Sequence, residues 1–118
     1  MTSNAYGPVG TRILTATGSF TVWEIRVDSG DSLAMHHHRH PYLVVHTSDG
    51  RIRVTELDGK VTERDVTAGA VDWHPVGEIH ELTNLGAEQY ANVLIELTAD
   101  GHREGPTSGP SQQEKVDE

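Results

Sequence analysis

The sequence predicts an all-β, single-domain protein whose antiparallel strands form a sandwich or barrel of the jelly-roll kind. Three observations support this fold class: short segments in which apolar and polar residues alternate, turn residues at nearly even spacing, and no segment with convincing helical periodicity. The chain has 118 residues, a length that fits one domain. The pattern therefore favours a layered β-structure over a helical or mixed fold.

The strands can be assigned in order along the chain from the positions of apolar residues and turns. In the second segment, Trp23 and Ile25 face one side of the strand while Glu24 faces the other. Asp58-Gly59 separates two alternating segments and indicates a tight hairpin. The predicted strands cover 12–17, 19–28, a histidine-rich segment that starts at 36, 42–47, 51–57, 60–66, 70–73, 80–84 and 88–98.

Two segments of different composition flank the predicted barrel. Residues 1–11 form an N-terminal arm, residues 12–98 form the barrel, and residues 99–118 form a flexible polar tail. From Asp100 onward, Val116 is the only aliphatic residue among Gly, Pro, Ser, Gln and charged residues, and such a segment cannot build a core.

Composition excludes several kinds of protein and site. The chain has no cysteine, which excludes a disulfide framework and a thiolate metal site. A formal net charge of -9 disfavours nucleic acid and anionic membranes as partners, since both attract basic patches. No segment approaches the roughly 20 apolar residues that span a bilayer, and the N-terminus lacks the basic start and apolar run of a secretory signal. We expect a cytoplasmic protein.

A cluster of histidines is the strongest functional signal in the sequence. Four histidines fall between residues 36 and 40, directly before an apolar segment. Residues two apart on an extended strand point to the same face, so His36 and His38 can direct two imidazoles at one point. Such a pair suits a metal ion but supplies only two ligands. A further ligand must come from elsewhere, and His80 is a good candidate.

The segments around these histidines resemble the two sequence motifs of the cupin superfamily. The first motif reads G-x5-H-x-H-x(3,4)-E-x6-G, and its glutamate position falls on Leu43, so this ligand is missing. Its other fixed positions hold Gly30, His36, His38 and Gly50. The second motif reads G-x5-P-x-G-x2-H-x3-N, and its fixed positions hold Gly69, Pro75, Gly77, His80 and Asn84. The resemblance implies a cupin barrel, that is, a double-stranded β-helix.

The resemblance also implies a metal site made by His36, His38 and His80. Without the glutamate, three neutral imidazoles leave the full 2+ charge on the ion, which favours an anionic or enolate substrate. We expect one divalent transition metal per chain, with Fe2+ favoured and Zn2+, Ni2+, Cu2+ or Mn2+ as alternatives. His40 has two alternative roles: a fourth metal ligand if Pro41 kinks the chain, or a catalytic general acid or base if the strand stays regular.

The remaining histidines receive other assignments. His37 points to the opposite face and is expected in solvent or in packing, whereas His46 is expected to be a half-buried strand residue. His74 is expected at the mouth of the barrel, and a role near the substrate is the less favoured alternative. Carboxylates that could replace the missing ligand, although none has the motif spacing, are Glu24, Glu78, Glu81 and Glu96. The side chains expected to pack around the site are Trp23, Ile25, Val44 and Leu82.

Three functions remain open at this point. The first is a mononuclear non-haem iron dioxygenase-like enzyme acting on a small organic oxyanion, because several cupin dioxygenases use three histidines without the glutamate. The second is a non-redox isomerase or lyase in which a histidine moves a proton. The third is a small-molecule binding or sensing module without turnover. Cupins commonly pair through edge strands, so the resemblance also implies a homodimer, with the N-terminal strand as the candidate edge.

Overall fold

The computed structural model describes residues 6–99, and their regular secondary structure is entirely β-strand. Apart from Ala99, the predicted C-terminal tail lies outside the described residues, as do the first five residues of the predicted N-terminal arm. The described part of the chain has no helix long and apolar enough to cross a membrane. Its strands are β1 Arg12–Ala16, β2 Phe20–Val27, β3 Ser32–His37, β4 Tyr42–His46, β5 Gly50–Glu56, β6 Val61–Val66, β7 Val71–His74, β8 Ile79–Asn84 and β9 Tyr90–Leu97.

The strands form two antiparallel sheets. One sheet has five strands in the order β1-β2-β9-β4-β7, and the other has four in the order β3-β8-β5-β6. Apart from the β1–β2 and β5–β6 pairs, strands that follow one another lie in different sheets, which is the jelly-roll arrangement predicted from the sequence. The predicted hairpin at Asp58-Gly59 joins β5 to β6. Gly59 has a φ of 93°, a left-handed conformation that glycine adopts without a steric penalty.

The hydrophobic core lies between the two sheets. Its buried members are Ile25, Val27, Tyr42, Val44, Ile52, Val66, Tyr90 and Leu94. Trp23 and Leu82 are partly buried and pack against this cluster, so the side chains expected around the site are all in the core or against it. Burial of one Val, Leu or Ile side chain contributes roughly 1.5–3 kcal/mol to folding.

Asn84, the last fixed position of the second motif, joins three parts of the fold. Its side chain is completely buried. The Nδ2 group donates to the carbonyl of Val27 at 2.9 Å and to the carbonyl of Glu88 at 2.7 Å. The Oδ1 atom accepts the N–H of Gly86 at 2.8 Å. Asn84 therefore closes the turn between β8 and β9 and ties it to the end of β2.

We expect Asn84→Ala to lower the free energy of unfolding by about 3 kcal/mol, since the buried side chain makes three hydrogen bonds and each contributes roughly 1 kcal/mol. Urea denaturation measures this loss. Gln89→Ala is the matched control, because Gln89 is an exposed amide on the same turn, bonded to Arg26 and Asp28. Gln89→Ala should lower the free energy of unfolding by less than about 1 kcal/mol. Equal destabilisation by the two substitutions would contradict the structural role of Asn84.

The outward face of the five-stranded sheet is largely apolar. Two neighbouring rows of side chains cross β2, β9, β4 and β7. The first row is Val22, Ile95, Leu43 and Trp73. The second row is Glu24, Val93, Val45 and Val71. Trp73 is 56% and Val71 57% exposed. An antiparallel sheet usually turns polar residues to solvent on its outer side. These two rows, hereafter the outer sheet face, therefore form a candidate contact surface.

Candidate metal centre

The pairing of β3 with β8 brings His36 and His80 side by side as direct cross-strand partners. His38 follows the end of β3, where the turn before β8 holds its backbone. The N–H of His38 donates to the carbonyl of Glu78 at 2.8 Å, and the N–H of Gly77 donates to the carbonyl of His38 at 2.9 Å. Gly77 has a φ of 113°, which favours glycine at this position. The second motif thus positions a histidine of the first.

The three imidazoles form a compact group, hereafter the three-histidine group, in which His36 and His38 are buried and His80 is half-buried. Their candidate ligand atoms all lie within 4.8 Å of one another. The Nε2 atoms of His38 and His80 are 3.1 Å apart. The Nδ1–H of His36 donates to the carbonyl of Ala34 at 2.7 Å, which leaves the Nε2 lone pair of His36 available as a ligand.

Burial keeps these imidazoles in the neutral form that binds metals. Burial lowers the pKa of His36 below its usual value. Burial, followed by repulsion from His36 and His80, lowers the pKa of His38 to about 2. Burial and repulsion from His36 lower the pKa of His80 to about 4. Metal ions require deprotonated ligands, so the donor set and its protonation state fit a divalent transition metal.

These pKa shifts predict a metal-free protein that loses stability in acid. Histidine in the unfolded chain binds protons near pH 6.5, whereas the folded chain keeps His38 and His80 neutral to much lower pH. The unfolded state therefore binds more protons, and stability should fall as the pH drops below about 6.5. The upper limit is about 1.4 kcal/mol per pH unit for each buried histidine. Urea denaturation of the metal-free protein at several pH values measures this slope.

Two substitutions test the origin of that acid sensitivity. His80→Gln should reduce the pH slope, because it removes one of the buried groups. His37→Gln should keep the slope, because His37 lies on the other face of β3, with its ring 6.2 Å from that of Tyr6. If stability depends on pH equally in the wild-type protein and in both variants, the three-histidine group does not cause the acid sensitivity.

The structure places Tyr42, not Leu43, at the inward position nearest the three-histidine group. Alternate side chains of β4 are buried, beginning with Tyr42, and Leu43 lies in the outer sheet face. The first motif allows three or four residues between its second histidine and its glutamate, and three residues separate His38 from Tyr42. The ring of Tyr42 stacks on that of His38, with centroids 3.9 Å apart and planes 16° apart. A tyrosine therefore takes the place of the motif carboxylate.

Glu78 brings a carboxylate towards the group from the turn before β8. The hydroxyl of Tyr42 donates to Oε1 of Glu78 at 2.6 Å, and Nδ1 of His74 lies 3.3 Å from Oε2. His74 also stacks on Tyr42, with ring centroids 4.7 Å apart. Burial alone would raise the pKa of Glu78, but the hydrogen bonds from His74 and Tyr42 lower it to about 2. Glu78 is therefore ionised at neutral pH.

His40 lies outside the three-histidine group. It is half-buried in the bend between β3 and β4. The side chains of residues 6–99 that could together hold an ion are those of His36, His38 and His80. Both roles expected for His40, as fourth ligand and as general acid or base, therefore stay predictions.

Among residues 6–99, the other acidic candidates are not part of the three-histidine group. Glu24 forms ion pairs with Arg12 and Arg26 on the outer side of the sheet. Glu96 accepts the indole N–H of Trp23 at 2.8 Å. Glu81 follows His80 directly on β8, and neighbouring residues of a strand point to opposite faces.

His46 is fully buried, at 3% exposed, so the expectation of a half-buried residue was wrong. Its Nδ1 lies 2.8 Å from the hydroxyl of Tyr90, and its Nε2 lies 2.9 Å from Oδ2 of Asp72. Arg64 also pairs with Asp72. These polar partners were not identified from the sequence, although the inward parity that His46 shares with Tyr42 could have indicated burial.

A narrow cavity of about 60 Å³ lies between the sheets. The three-histidine group, Tyr42 and His46 line it, and most of the other lining side chains are aliphatic. A wider groove of about 290 Å³ lies beside the cavity and shares Arg64, His74 and His80 with it. The groove is therefore the approach from solvent to the three-histidine group. This position of His74 agrees with the expectation of a residue at the mouth of the barrel.

Comparison with known proteins gives matches in structure. No family model and no curated protein matches the chain in sequence. A cupin domain from Bordetella pertussis is 24% identical, with a TM-score of 0.71 over 80% of this chain and 96% of that one. An uncharacterized protein with a double-stranded β-helix domain from Klebsiella pneumoniae is 21% identical, with a TM-score of 0.62 over 80% and 84% of the chains.

A third similar structure is an RmlC-like cupin family protein from Methanocaldococcus jannaschii. It is 13% identical, with a TM-score of 0.62 over 73% of this chain and 76% of that one. At these identities the matches establish the fold. They agree with the two antiparallel sheets of this chain. The described part of the chain has the double-stranded β-helix fold of cupin domains.

Proposed function

We propose that the chain holds one divalent transition metal ion at His36, His38 and His80 and acts on a small organic oxyanion. The observation that supports this proposal is a buried group of neutral imidazoles that opens into a small cavity. A bound Fe2+ would supply a Lewis acid and a redox centre at this position. Nitrogen ligands favour Fe2+, Zn2+, Ni2+ or Cu2+ over the oxygen-preferring Mg2+ and Ca2+.

The residues of the chain explain why the substrate is small and anionic. A cavity of about 60 Å³ admits few atoms, and its aliphatic walls exclude water around a bound molecule. Among the residues of 6–99 that line the cavity, Arg64 has the only permanent positive charge, and it is paired with Asp72. The attraction for an anionic substrate therefore comes from a divalent ion at the three-histidine group, since no ligating carboxylate reduces its 2+ charge.

Among the reaction classes, we favour dioxygenase-like oxidation of the substrate with O2 by the Fe2+-loaded protein. The alternative is a non-redox isomerase or lyase, and one observation favours it. His74 stacks on Tyr42, lies 3.3 Å from Glu78 and lines the cavity, so this histidine could move a proton at a bound substrate. A binding or sensing module would show neither activity.

Oxygen consumption separates these functions. The Fe2+-loaded protein is supplied with small hydroxy- and oxo-carboxylates in an oxygen electrode, and a metal-free sample serves as the control. Substrate-dependent oxygen uptake supports the dioxygenase. If the protein shows no oxygen uptake but incorporates deuterium from D2O into the same acids under nitrogen, the function is that of the isomerase or lyase. Binding without either reaction would leave a sensing module.

We also propose that the chain forms a homodimer through the outer sheet face. The expected edge, β1, is exposed at all five residues, but the outer sheet face offers a broader surface through its apolar row of Val22, Ile95, Leu43 and Trp73. A twofold contact would pair this face with its own copy. Light scattering should give the mass of a dimer, and Trp73→Glu should shift the protein towards monomer. A monomeric wild-type protein would refute the assembly.

A further inference from the structure

The cavity has a second polar region away from the three-histidine group. His46, Asp72, Tyr90 and Asn92 line the cavity and bond to one another, and we name them the inner polar cluster. On β4, Tyr42 and His46 are four residues apart on the same face, a separation of about 13 Å along a strand. The cavity therefore has polar groups at both ends and aliphatic walls between them.

The hydrogen bonds of the inner polar cluster have a fixed direction. Asp72 is ionised, because hydrogen bonds from His46 and Arg64 outweigh burial and lower its pKa, and a carboxylate can only accept. The Nε2 atom of His46 therefore carries the hydrogen that points at Asp72. In the neutral ring, Nδ1 then accepts from the hydroxyl of Tyr90. The oxygen of Tyr90 in turn accepts the amide of Asn92 at 2.6 Å.

One atom of this chain of hydrogen bonds has no partner. The Oδ1 of Asn92 is buried and accepts no hydrogen bond from residues 6–99, and the whole residue is 2% exposed. Buried acceptors without a donor are destabilising and uncommon in folded proteins. Asn92 lines the cavity, and the aliphatic walls beside it offer no donor. A molecule inside the cavity can supply the donor that residues 6–99 do not.

We propose that Asn92 is a substrate-recognition residue whose Oδ1 accepts a hydrogen bond from a hydroxyl or amino group of the bound oxyanion. The inference rests on the proposed function, since the anionic end of the same molecule is held at the three-histidine group. A volume of about 60 Å³ corresponds to about four to six water-sized groups. The substrate class is therefore a short carboxylic acid with a hydroxyl or amino group at its far end.

Matched pairs of acids test this specificity on the Zn2+-loaded protein, where no redox chemistry interferes. Titration calorimetry compares propionate with 3-hydroxypropionate, and butyrate with 4-hydroxybutyrate. In at least one pair the hydroxylated acid should bind at least about fivefold more tightly. The preference should vanish in Asn92→Leu and persist in Gln89→Leu, an exposed amide on the preceding turn. Equal affinities in both pairs, or a preference that survives in Asn92→Leu, would overturn the proposal.

A second measurement does not depend on the folding of a variant. The side-chain amide signals of Asn92 in the wild-type NMR spectrum should shift with the hydroxylated acid and not with its parent. Absence of that difference would show that a buried water, and not the substrate, fills the site. The metal-free protein separates this inference from the proposed function. Propan-1-ol carries the hydroxyl donor without the carboxylate, so it should shift the Asn92 signals even if the chain proves to bind no metal.

Discussion

His80→Ala should reduce metal affinity by at least about 100-fold, which is beyond the range seen when a group that merely supports a ligand is removed. The reason is geometric. The pairing of β3 with β8 places His80 beside His36, and the Nε2 of His80 lies 3.1 Å from that of His38. Without His80, two imidazoles from one segment remain, and the rest of the coordination must be supplied by water. Elemental analysis after dialysis, followed by competition with a chromophoric Zn2+ chelator, measures the loss.

Two histidine substitutions serve as controls for His80→Ala. His37→Ala changes the same histidine cluster but lies outside the three-histidine group, so metal content should stay at one ion per chain. His46→Ala should lower stability, because it breaks buried bonds to Tyr90 and Asp72, and yet retain the metal. Full metal content in His80→Ala would refute the proposed site.

The sequence was sufficient for the cupin fold, and that prediction is confirmed. Alternation of side chains and turn chemistry predicted the strands, and both act over a few neighbouring residues. The three-histidine group was predictable for a different reason. The spacing between His36 and His38 gives them a common face, and His80 lies at a fixed distance from the glycine and proline of the turn that holds His38.

Residues whose partners lie far away along the chain were harder to predict. The contacts of His46 come from residues 26 and 44 positions away, so nothing in its own strand indicates them. The inward face of β4 was equally ambiguous. Residues 42–45 are apolar on both faces, because one face lines the core and the other forms the outer sheet face. Alternation then no longer shows which residues point inward, and Leu43 was aligned where Tyr42 belongs.

Tyr42→Glu should shift metal preference towards Mn2+, whereas Leu43→Glu should not. A carboxylate at the inward position would add an oxygen ligand to three nitrogens and lower the net charge of the site from 2+ to 1+, both of which favour a harder ion. Leu43 lies in the outer sheet face, so a carboxylate there would reach solvent instead of the ion. Competition between Mn2+ and Zn2+, read out by elemental analysis of each variant, measures the preference.

The same substitution should make the metal-free protein less stable. Tyr42→Glu removes the ring that stacks on His38 and places a second carboxylate near Glu78, which loses the hydroxyl donor of Tyr42. Two close carboxylates repel each other, and a divalent ion between them and the imidazoles relieves that repulsion. Mn2+ should therefore raise the melting temperature of Tyr42→Glu more than that of Tyr42→Gln, which has nearly the same shape without the charge. Equal stabilisation of the two variants by Mn2+ would show that position 42 does not reach the ion.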